Sequence, residues 1–279
     1  MPRLVRLTVL AIAMACSVTA AAQPRRIVSM NMCADQLLIE LADHSQIAAL
    51  TELSRDPVLS FHADRAQSYP VAGGSAEEVL MLRPDLVVSP PFQRKEALSL
   101  LNGRSVKIVT VGFADSLEAI YADIRRLAGA IGHPARGEAM IRRMEADLER
   151  LSQDRPGKGR IAAYYQRRGY LTGTGTLIDE IMERAGLVNL AERLGRPALS
   201  RLSLEEMARS RPDFLLMESA TRRVNDRGSE MLHHPALDHV VPPERRLYLP
   251  QAIAVCGGAS YPLAVAMLAD QIRRSDAGK

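Results

Sequence analysis

Short apolar runs alternate with helical patterns along most of this chain. The runs have the length of buried strands and lie at residues 26–30, 47–51, 85–89, 107–111, 160–165, 214–218 and 246–250. Apolar positions at helical spacing fall between them, for example over residues 35–42 and 77–82. Strands that alternate with helices predict an α/β fold with mainly parallel sheets and helices on both faces.

The middle of the chain follows a different pattern, with no strand signal over residues 115–153. Two amphipathic stretches occur there, separated by Gly132-His133-Pro134, and a Pro/Gly-rich turn follows them. This predicts a helical connector over residues 115–155. It would bridge an N-terminal lobe (23–114) and a C-terminal lobe (156–279), so that a long α-helix joins two α/β lobes.

One phrase occurs twice, once in each predicted lobe. The sequence SAEEVLMLRPDLVV spans residues 75–88, and SLEEMARSRPDFLL spans residues 203–216, with six of fourteen positions identical. Each copy begins with the capping pattern S-x-x-E, which predicts a helix start. Each helix should stop at Arg-Pro-Asp, because a residue before proline disfavours the helical conformation. Each copy therefore predicts a capped helix, a sharp stop and a buried strand.

The capping pattern uses only the second glutamate of each pair, Glu78 or Glu206. Glu77 and Glu205 remain, both in the first helical turn, where a carboxylate favours the helix dipole by about 0.3–1 kcal/mol. The interaction with the helix dipole alone would account for the two glutamates. The alternative is that each lobe presents one acidic side chain to the same partner.

The N-terminus has the pattern of an export signal. Arg3 and Arg6 precede an apolar run too short to span a bilayer, and Ala20 and Ala22 form an A-x-A cleavage site. We therefore expect a signal peptide over residues 1–22 and a soluble, exported protein. A short membrane anchor is a weaker alternative, and a lipoprotein anchored through Cys16 is disfavoured by its poor lipobox.

Composition narrows the partners of the exported chain. The formal charge of +4 falls to +2 without Arg3 and Arg6, and the chain has 4% aromatic residues and no Trp. These values argue against nucleic acid as a partner. Cys33 and Cys256 remain after cleavage, and in an oxidising compartment such a pair either forms a disulfide or stays as two unrelated thiols.

Taken in order, several segments resemble one family over the whole exported chain. They are RIVSMNMCADQLLIELAD, GGSAEEVLMLRPDLVVS, YLTGTGTLIDEIMERAGLVNLAE, LSLEEMARSRPDFLLME and HPALDHVVPPERRLYLP. The pattern resembles the periplasmic substrate-binding proteins of ABC importers for ferric siderophores, haem and cobalamin. The resemblance implies two α/β lobes joined by one long helix, no enzymatic activity and no resident cofactor.

The resemblance also implies partners and site residues. The protein would be a periplasmic monomer that delivers its ligand to an inner-membrane permease dimer with its ATPase. Glu77 and Glu205 match the family's outward glutamates, which dock to permease arginines. The ligand would lie between the lobes, on loops that follow the strands. The candidate contacts are Met30, Asn31, Ser89, Phe92, Phe113, Tyr164, Tyr165, Arg167, Tyr170 and Glu218.

The resemblance favours a ferric siderophore as the ligand, since phenols and guanidinium groups suit an anionic iron chelate. A corrinoid is less favoured, because cobalamin-binding members commonly use Trp in the cleft. Haem would need a Tyr or His ligand to its iron, and Tyr164, Tyr165 and Tyr170 keep that alternative open. A Cys33–Cys256 disulfide would tie the lobes across one end of the cleft.

Other signals do not outweigh this interpretation. TGTGT at residues 172–176 lacks the lysine of a phosphate loop and predicts a tight turn. His233, His234 and His239 cluster around Pro235, but their spacing fits no common metal site, so no metal is expected. No G-x-S-x-G or H-E-x-x-H motif supports a secreted hydrolase.

Overall fold

The computed structural model describes residues 23–92, 99–101, 106–223 and 226–278. The predicted signal peptide lies outside these residues. The N-terminal lobe contains a five-stranded parallel sheet of order β3-β2-β1-β4-β5. Its strands are β1 Ile27–Ser29, β2 Ile47–Thr51, β3 Val71–Ala72, β4 Leu86–Ser89 and β5 Lys107–Thr110. Its helices are α1 Met32–Leu41, α2 Ala63–Ala66 and α3 Ala76–Met81.

Two helices follow this sheet, α4 Leu117–Ala130 and the longer α5 Pro134–Ser152. They break at Gly132, whose φ is +86°, and proline opens the second helix, as the sequence predicts. The two helices pack closely where Gly137 faces Ala128, since a Cβ on the glycine would lie 2.7 Å from that of the alanine. The connector is therefore a packed pair of helices.

The C-terminal lobe has a sheet of order β11-β10-β6-β7-β9, with β8 paired to β6. The strands are β6 Ile161–Gln166, β7 Tyr170–Thr172, β8 Val188–Asn189, β9 Leu199–Arg201, β10 Phe214–Glu218 and β11 Arg246–Leu249. The helices are α6 Leu177–Arg184, α7 Leu190–Arg193, α8 Leu204–Ser210, α9 Pro235–Val240, α10 Gln251–Ala254 and α11 Tyr261–Ala277. Short 3₁₀ turns occupy His44–Gln46, Glu52–Arg55, Arg167–Gly169, Ser219–Thr221, Glu230–His233 and Pro243–Arg245.

The fold class is confirmed: two mainly parallel sheets with helices around them. The strands β3, β7, β8 and β9 were not among the predicted runs. β7 is antiparallel to both β6 and β9. It turns back from β6 through Arg168 and Gly169, which have φ of +59° and +74°. The sequences of these unpredicted strands are too short to carry the hydrophobic pattern that predicts a strand.

Alternate residues of each buried strand face two different cores. In β4, Leu86 and Val88 belong to one hydrophobic cluster and Val87 to another. In β10, Phe214 and Leu216 share the first cluster with β4, while Leu215 lies in a third. Because successive side chains of a strand point to opposite faces, each sheet is covered on both sides. The first cluster also contains α4, α5 and α11, so one continuous core unites both lobes.

The repeated phrase builds the same structure in both lobes, with one difference. Ser203 and Glu206 form the full capping box, because each side chain accepts the other residue's backbone N–H. Ser75 Oγ likewise accepts Glu78 N, but Glu78 Oε2 accepts Gly73 N at 2.8 Å, where the capping box predicted Ser75 N. The Gly73-Gly74 turn before the helix presents that amide to the glutamate.

The Arg-Pro-Asp stop has a geometry that the sequence did not predict. Arg83 and Arg211 both adopt left-handed backbone angles, with φ of +48° and +42°, and end the helices α3 and α8. The aspartate then clamps the start of the neighbouring strand. Asp85 accepts the backbone N–H of Arg26 and donates its own N–H to Arg26 O, and Asp213 does the same with Ile161.

No described helix is long and apolar enough to cross a membrane.

We predict that Ser203→Ala lowers the free energy of unfolding by about 1 kcal/mol, because it removes an N-cap acceptor from α8. Urea unfolding followed by circular dichroism measures the change. Ser152→Ala is the matched control, since that hydroxyl donates to Glu149 O within the last turn of α5 and caps no helix start. Equal stability of the Ser203 variant and the wild type would contradict the prediction.

Candidate functional site

The parallel strands of each sheet end at one edge, the usual place for a ligand in α/β folds. Cys33 lies in the first turn of α1, directly after β1, and Cys256 lies just after α10, which follows β11. A disulfide joins these two residues, with their Cα atoms 5.2 Å apart. The carboxyl edges of the two sheets therefore meet at this bond. We refer to the region between the loops of the two edges as the cleft, and to the disulfide as its floor.

Packing around the disulfide holds the floor together. A Cβ on Gly257 would lie 2.1 Å from Ile120 of α4, so the segment after Cys256 sits directly on the connector. Glu180 of α6 accepts the backbone N–H of Leu117 at 2.6 Å and an Arg184 N–H at 2.8 Å.

Arg184 also donates to the hydroxyl of Tyr261, whose pKa is raised chiefly by burial. A polar network thus joins α4, α6 and α11 beside the disulfide.

The wall of the cleft on the N-terminal lobe is apolar. Loops after β2, β4 and β5 carry large exposed side chains: Leu53, Val58, Phe61, Phe92 and Phe113. Phe92 is 86% exposed and Phe113 is 57% exposed. Three of the four phenylalanines in the chain thus lie in loops at this one edge, whereas the fourth is in the core. Apolar side chains gathered at one exposed edge indicate a binding surface.

The wall on the C-terminal lobe is polar. Arg167 follows β6 and forms an ion pair with Asp226. The guanidinium of Arg201 lies over the ring of Tyr170, 5.1 Å from its centroid. Glu218 ends β10 and is half-buried, and burial raises the pKa of its carboxyl group, although a Gln251 hydrogen bond and the charge of Arg167 oppose the shift. The cleft therefore has one apolar and one charged wall.

Four of the predicted ligand contacts are not at the surface, and we correct them. Asn31 caps α1, because its side-chain oxygen accepts the backbone N–H of Cys33, and its side-chain nitrogen donates to Val111 O. The oxygen and the nitrogen of its amide therefore both have protein partners. Ser89 is 1% exposed. Tyr164 and Tyr165 face the two opposite cores of the C-terminal lobe and are 4% and 0% exposed.

The Tyr165 hydroxyl donates to Leu202 O, and burial raises its pKa to about 12. Both tyrosines are buried because β6 is covered on both faces, which the apolar run of this strand could have indicated. Six predicted contacts keep exposed or partly exposed positions at the carboxyl edges, in loops or at strand ends: Met30, Phe92, Phe113, Arg167, Tyr170 and Glu218.

A buried carboxylate that the sequence analysis did not single out lies in α1. Asp35 is fully buried and accepts hydrogen bonds from the hydroxyl and backbone N–H of Thr51. Burial raises its pKa to about 6, although hydrogen bonds from Ser29 and Thr51 oppose the shift. It joins the carboxyl ends of β1 and β2 under the apolar wall.

Glu77 and Glu205 are exposed in the first turns of α3 and α8. Each helix follows the edge strand of its own sheet, β3 in one lobe and β9 in the other. Two antiparallel pairings make β9 run in the same direction as β6, so both glutamates lie near a carboxyl edge.

The histidine cluster has structural contacts. His233 Nε2 lies 2.8 Å from Thr221 O, and His234 Nδ1 accepts Ala236 N at the start of α9. In the part of the chain that the structure describes, no group of three or more His, Cys, Asp or Glu residues could hold a metal ion.

A family model described as periplasmic binding protein matches residues 27–242, so the chain belongs to this family. It is a family of binding proteins, not enzymes. Two relatives, each named cobalamin-binding protein and each from a strain of Halobacterium salinarum, are 24% identical over 225 residues. The match covers 77% of this chain but only 60% of those relatives.

Solved structures share the fold over nearly the whole described chain. The periplasmic haem-binding protein HutB of Vibrio cholerae superposes with a TM-score of 0.74 at 18% identity, covering 88% of this chain and 97% of that one. The periplasmic vitamin B12-binding protein BtuF of Vibrio cholerae gives 0.70 at 16% identity, covering 91% and 98%. A periplasmic haem-binding protein from Pseudomonas aeruginosa gives 0.71 at 23% identity, covering 88% and 91%.

We predict that replacing both Cys33 and Cys256 by serine lowers the free energy of unfolding by about 2–5 kcal/mol. The bond joins residues 223 positions apart, so its loss releases a large loop in the unfolded chain. Urea unfolding with and without reductant measures the effect. Reductant should destabilise the wild type and leave the double variant unchanged, and a wild type insensitive to reductant would contradict the prediction.

Proposed function

We propose that this protein is the periplasmic solute-binding component of an ABC importer, and that it captures a metal chelate in the cleft between its lobes. The observation that carries the proposal is the cleft's division into an apolar wall with Phe92 and Phe113 and a polar wall with Arg167 and Glu218. This division suits a large ligand with apolar faces and polar substituents. The apolar faces would then contact the apolar wall, and the polar substituents would contact the polar wall.

The captured chelate would supply all the ligands of its own metal, so that no protein side chain is needed to bind the metal. Haem would require a side chain to ligate its iron, and a tyrosine does so as phenolate. Burial disfavours the phenolates of Tyr164 and Tyr165, which leaves Tyr170 as the partly exposed tyrosine of the three. A corrinoid carries its own metal ligands, and the curated relatives are named for cobalamin. We therefore place a corrinoid first, in place of the ferric siderophore that the sequence favoured, and keep haem and a ferric siderophore as alternatives.

Delivery would use the two matched glutamates. Glu77 and Glu205 occupy equivalent helix starts at the carboxyl edges of the two lobes, so both can face a permease that receives the ligand from the cleft mouth. Arginines on the permease would pair with the carboxylates. The periplasmic location rests on the family and on the export signal predicted over residues 1–22.

The ligand class can be tested by titration of the purified protein with cyanocobalamin, haemin and a ferric hydroxamate or catecholate siderophore, followed by calorimetry. We expect saturable binding of cyanocobalamin, weakened roughly tenfold by Phe113→Ala through loss of about 1.4 kcal/mol of apolar contact. Met81→Ala is the control, since Met81 is equally apolar and 82% exposed but ends α3 at the opposite edge of the sheet.

Two other results would change the proposal. Binding of haemin or the siderophore alone would keep the transport role and reassign the chelate. Binding of none of the three probes would refute capture of a metal chelate.

Docking can be tested by reversing the charge of both glutamates. We predict that Glu77→Arg with Glu205→Arg reduces uptake in cells that depend on this protein by at least tenfold, because like charges then face the permease. Ligand affinity of the purified double variant should be unchanged. Glu149→Arg on α5 is the matched charge reversal away from both edges. Uptake at the wild-type rate by the double variant would rule out docking through these residues.

A further inference from the structure

A groove of about 790 Å³ lies along the outer edge of the C-terminal sheet. β11 is the edge strand there, and the groove is bounded by this strand, by the 3₁₀ turn before it and by the end of α11. Its lining includes none of the predicted ligand contacts. Glu205 follows β9, at the opposite edge of the same sheet, so the groove is also separate from the proposed docking residues.

Arginine dominates the lining of this edge groove. Glu244 is the single carboxylate among the described lining residues, whereas four arginines line the groove: Arg222, Arg245, Arg246 and Arg274. Two of the four are paired with carboxylates outside the lining. Arg246 pairs with Asp238 and keeps only 7% of its side chain exposed, and Arg274 pairs with Asp270.

The other two arginines have no acidic partner. Within the described part of the chain, neither Arg222 nor Arg245 forms an ion pair. The guanidinium of Arg222 lies over the ring of Tyr248, 4.4 Å from its centroid, and this contact leaves its N–H groups free. A strand rises about 3.3 Å per residue, so Tyr248 and Arg245 are about 10 Å apart along the chain direction. Two unpaired guanidinium groups are thus held at two levels of one groove.

The backbone of β11 is not open to an added peptide strand, although β11 lies at an edge. The side-chain amide of Gln271 bonds both the N–H and the carbonyl of Tyr248, at 2.9 and 2.8 Å. The N–H of Arg246 bonds Pro243 O, and Pro250 after the strand has no N–H. Strand addition requires free backbone groups. The groove therefore offers side-chain donors to a small molecule.

The chemistry of the free donors selects an anion with several oxygens. A guanidinium group binds phosphate through two parallel hydrogen bonds, because its planar fork matches the spacing of the phosphate oxygens. A single carboxylate would engage one of the two arginines. A diphosphate, or a phosphate that carries further polar groups, has acceptors for both.

We propose that the groove is a second binding site, which takes the phosphate groups of a diphosphate or of a phospholipid headgroup. Arg222 and Arg245 bind the phosphate oxygens, and the exposed Arg274 adds positive charge at the rim. Glu244 opposes binding through its negative charge. The site is independent of the chelate that the cleft captures and goes beyond the proposed function.

The test uses the purified protein and two probes at about 0.15 M salt, where screening limits diffuse attraction. Calorimetry measures binding of inorganic pyrophosphate. Cosedimentation measures binding to phosphatidylcholine vesicles with and without phosphatidylglycerol. Binding of pyrophosphate alone would assign the site to soluble phosphate compounds, and a requirement for phosphatidylglycerol would assign it to a membrane headgroup. Binding of neither probe would overturn the proposal.

Two changes in the groove should have opposite effects. Arg222→Gln with Arg245→Gln should weaken binding of the active probe at least tenfold, as expected when two charged donors are lost. Glu244→Gln should strengthen it roughly threefold, because it removes the one negative charge of the lining. A variant that merely misfolds cannot bind more tightly, so the second change tests the site even if the first one damages the fold.

The matched control is Arg142→Gln with Arg143→Gln, which removes the same charge from two exposed positions on α5. This control should leave the affinity unchanged. Equal weakening by the two double variants would show that binding follows net charge, and would overturn the proposal. Wild-type affinity in the Arg222 and Arg245 double variant would do the same. A protein that binds pyrophosphate but none of the three chelates would keep this site and lose the proposed function.

Discussion

The structure depends on one constraint: its two sheets, each built mainly of parallel strands, must present the carboxyl ends of those strands to each other. A single hydrophobic core that includes α4, α5 and α11 and the inner face of each sheet meets this constraint. The disulfide between Cys33 and Cys256 then fixes the meeting point at the floor of the cleft. Every cleft loop follows a strand that ends at one of these edges, so the placement of loop side chains is a consequence of sheet packing.

The repeated phrase shows how each lobe meets the constraint locally. Each copy carries the chain from the edge strand of its sheet to a central strand, through a capped helix and an arginine in left-handed conformation. The aspartate that follows clamps the start of the neighbouring strand, through Arg26 just before β1 in one lobe and through Ile161 of β6 in the other. The phrase therefore sets the register of the two central strands, and the first glutamate of each copy remains exposed near the cleft.

The sequence predicted what depends on local pattern. The buried strands, the helical connector with its break at Gly132 and the two lobes all follow from periodicity and turn residues. The burial of Tyr164 and Tyr165 was already contained in the apolar run of β6, whereas the core that each tyrosine faces depends on the helices that cover the two faces of that strand. The short antiparallel strands β7 and β9 and the buried Asp35–Thr51 bond likewise arise from contacts between distant segments.

The covalent tie at the floor also limits how the cleft can work. Motions that separate Cys33 from Cys256 are excluded while the disulfide is intact, so the lobes can only rotate about that point. The network of Glu180, Arg184 and Tyr261 restrains this rotation further, because it joins helices from the connector and the C-terminal lobe. A cleft organised before binding loses less conformational entropy when a ligand arrives. Differences in affinity between ligands must then come from the loop side chains, because the disulfide and the polar network fix the rest of the cleft in the same way for every ligand.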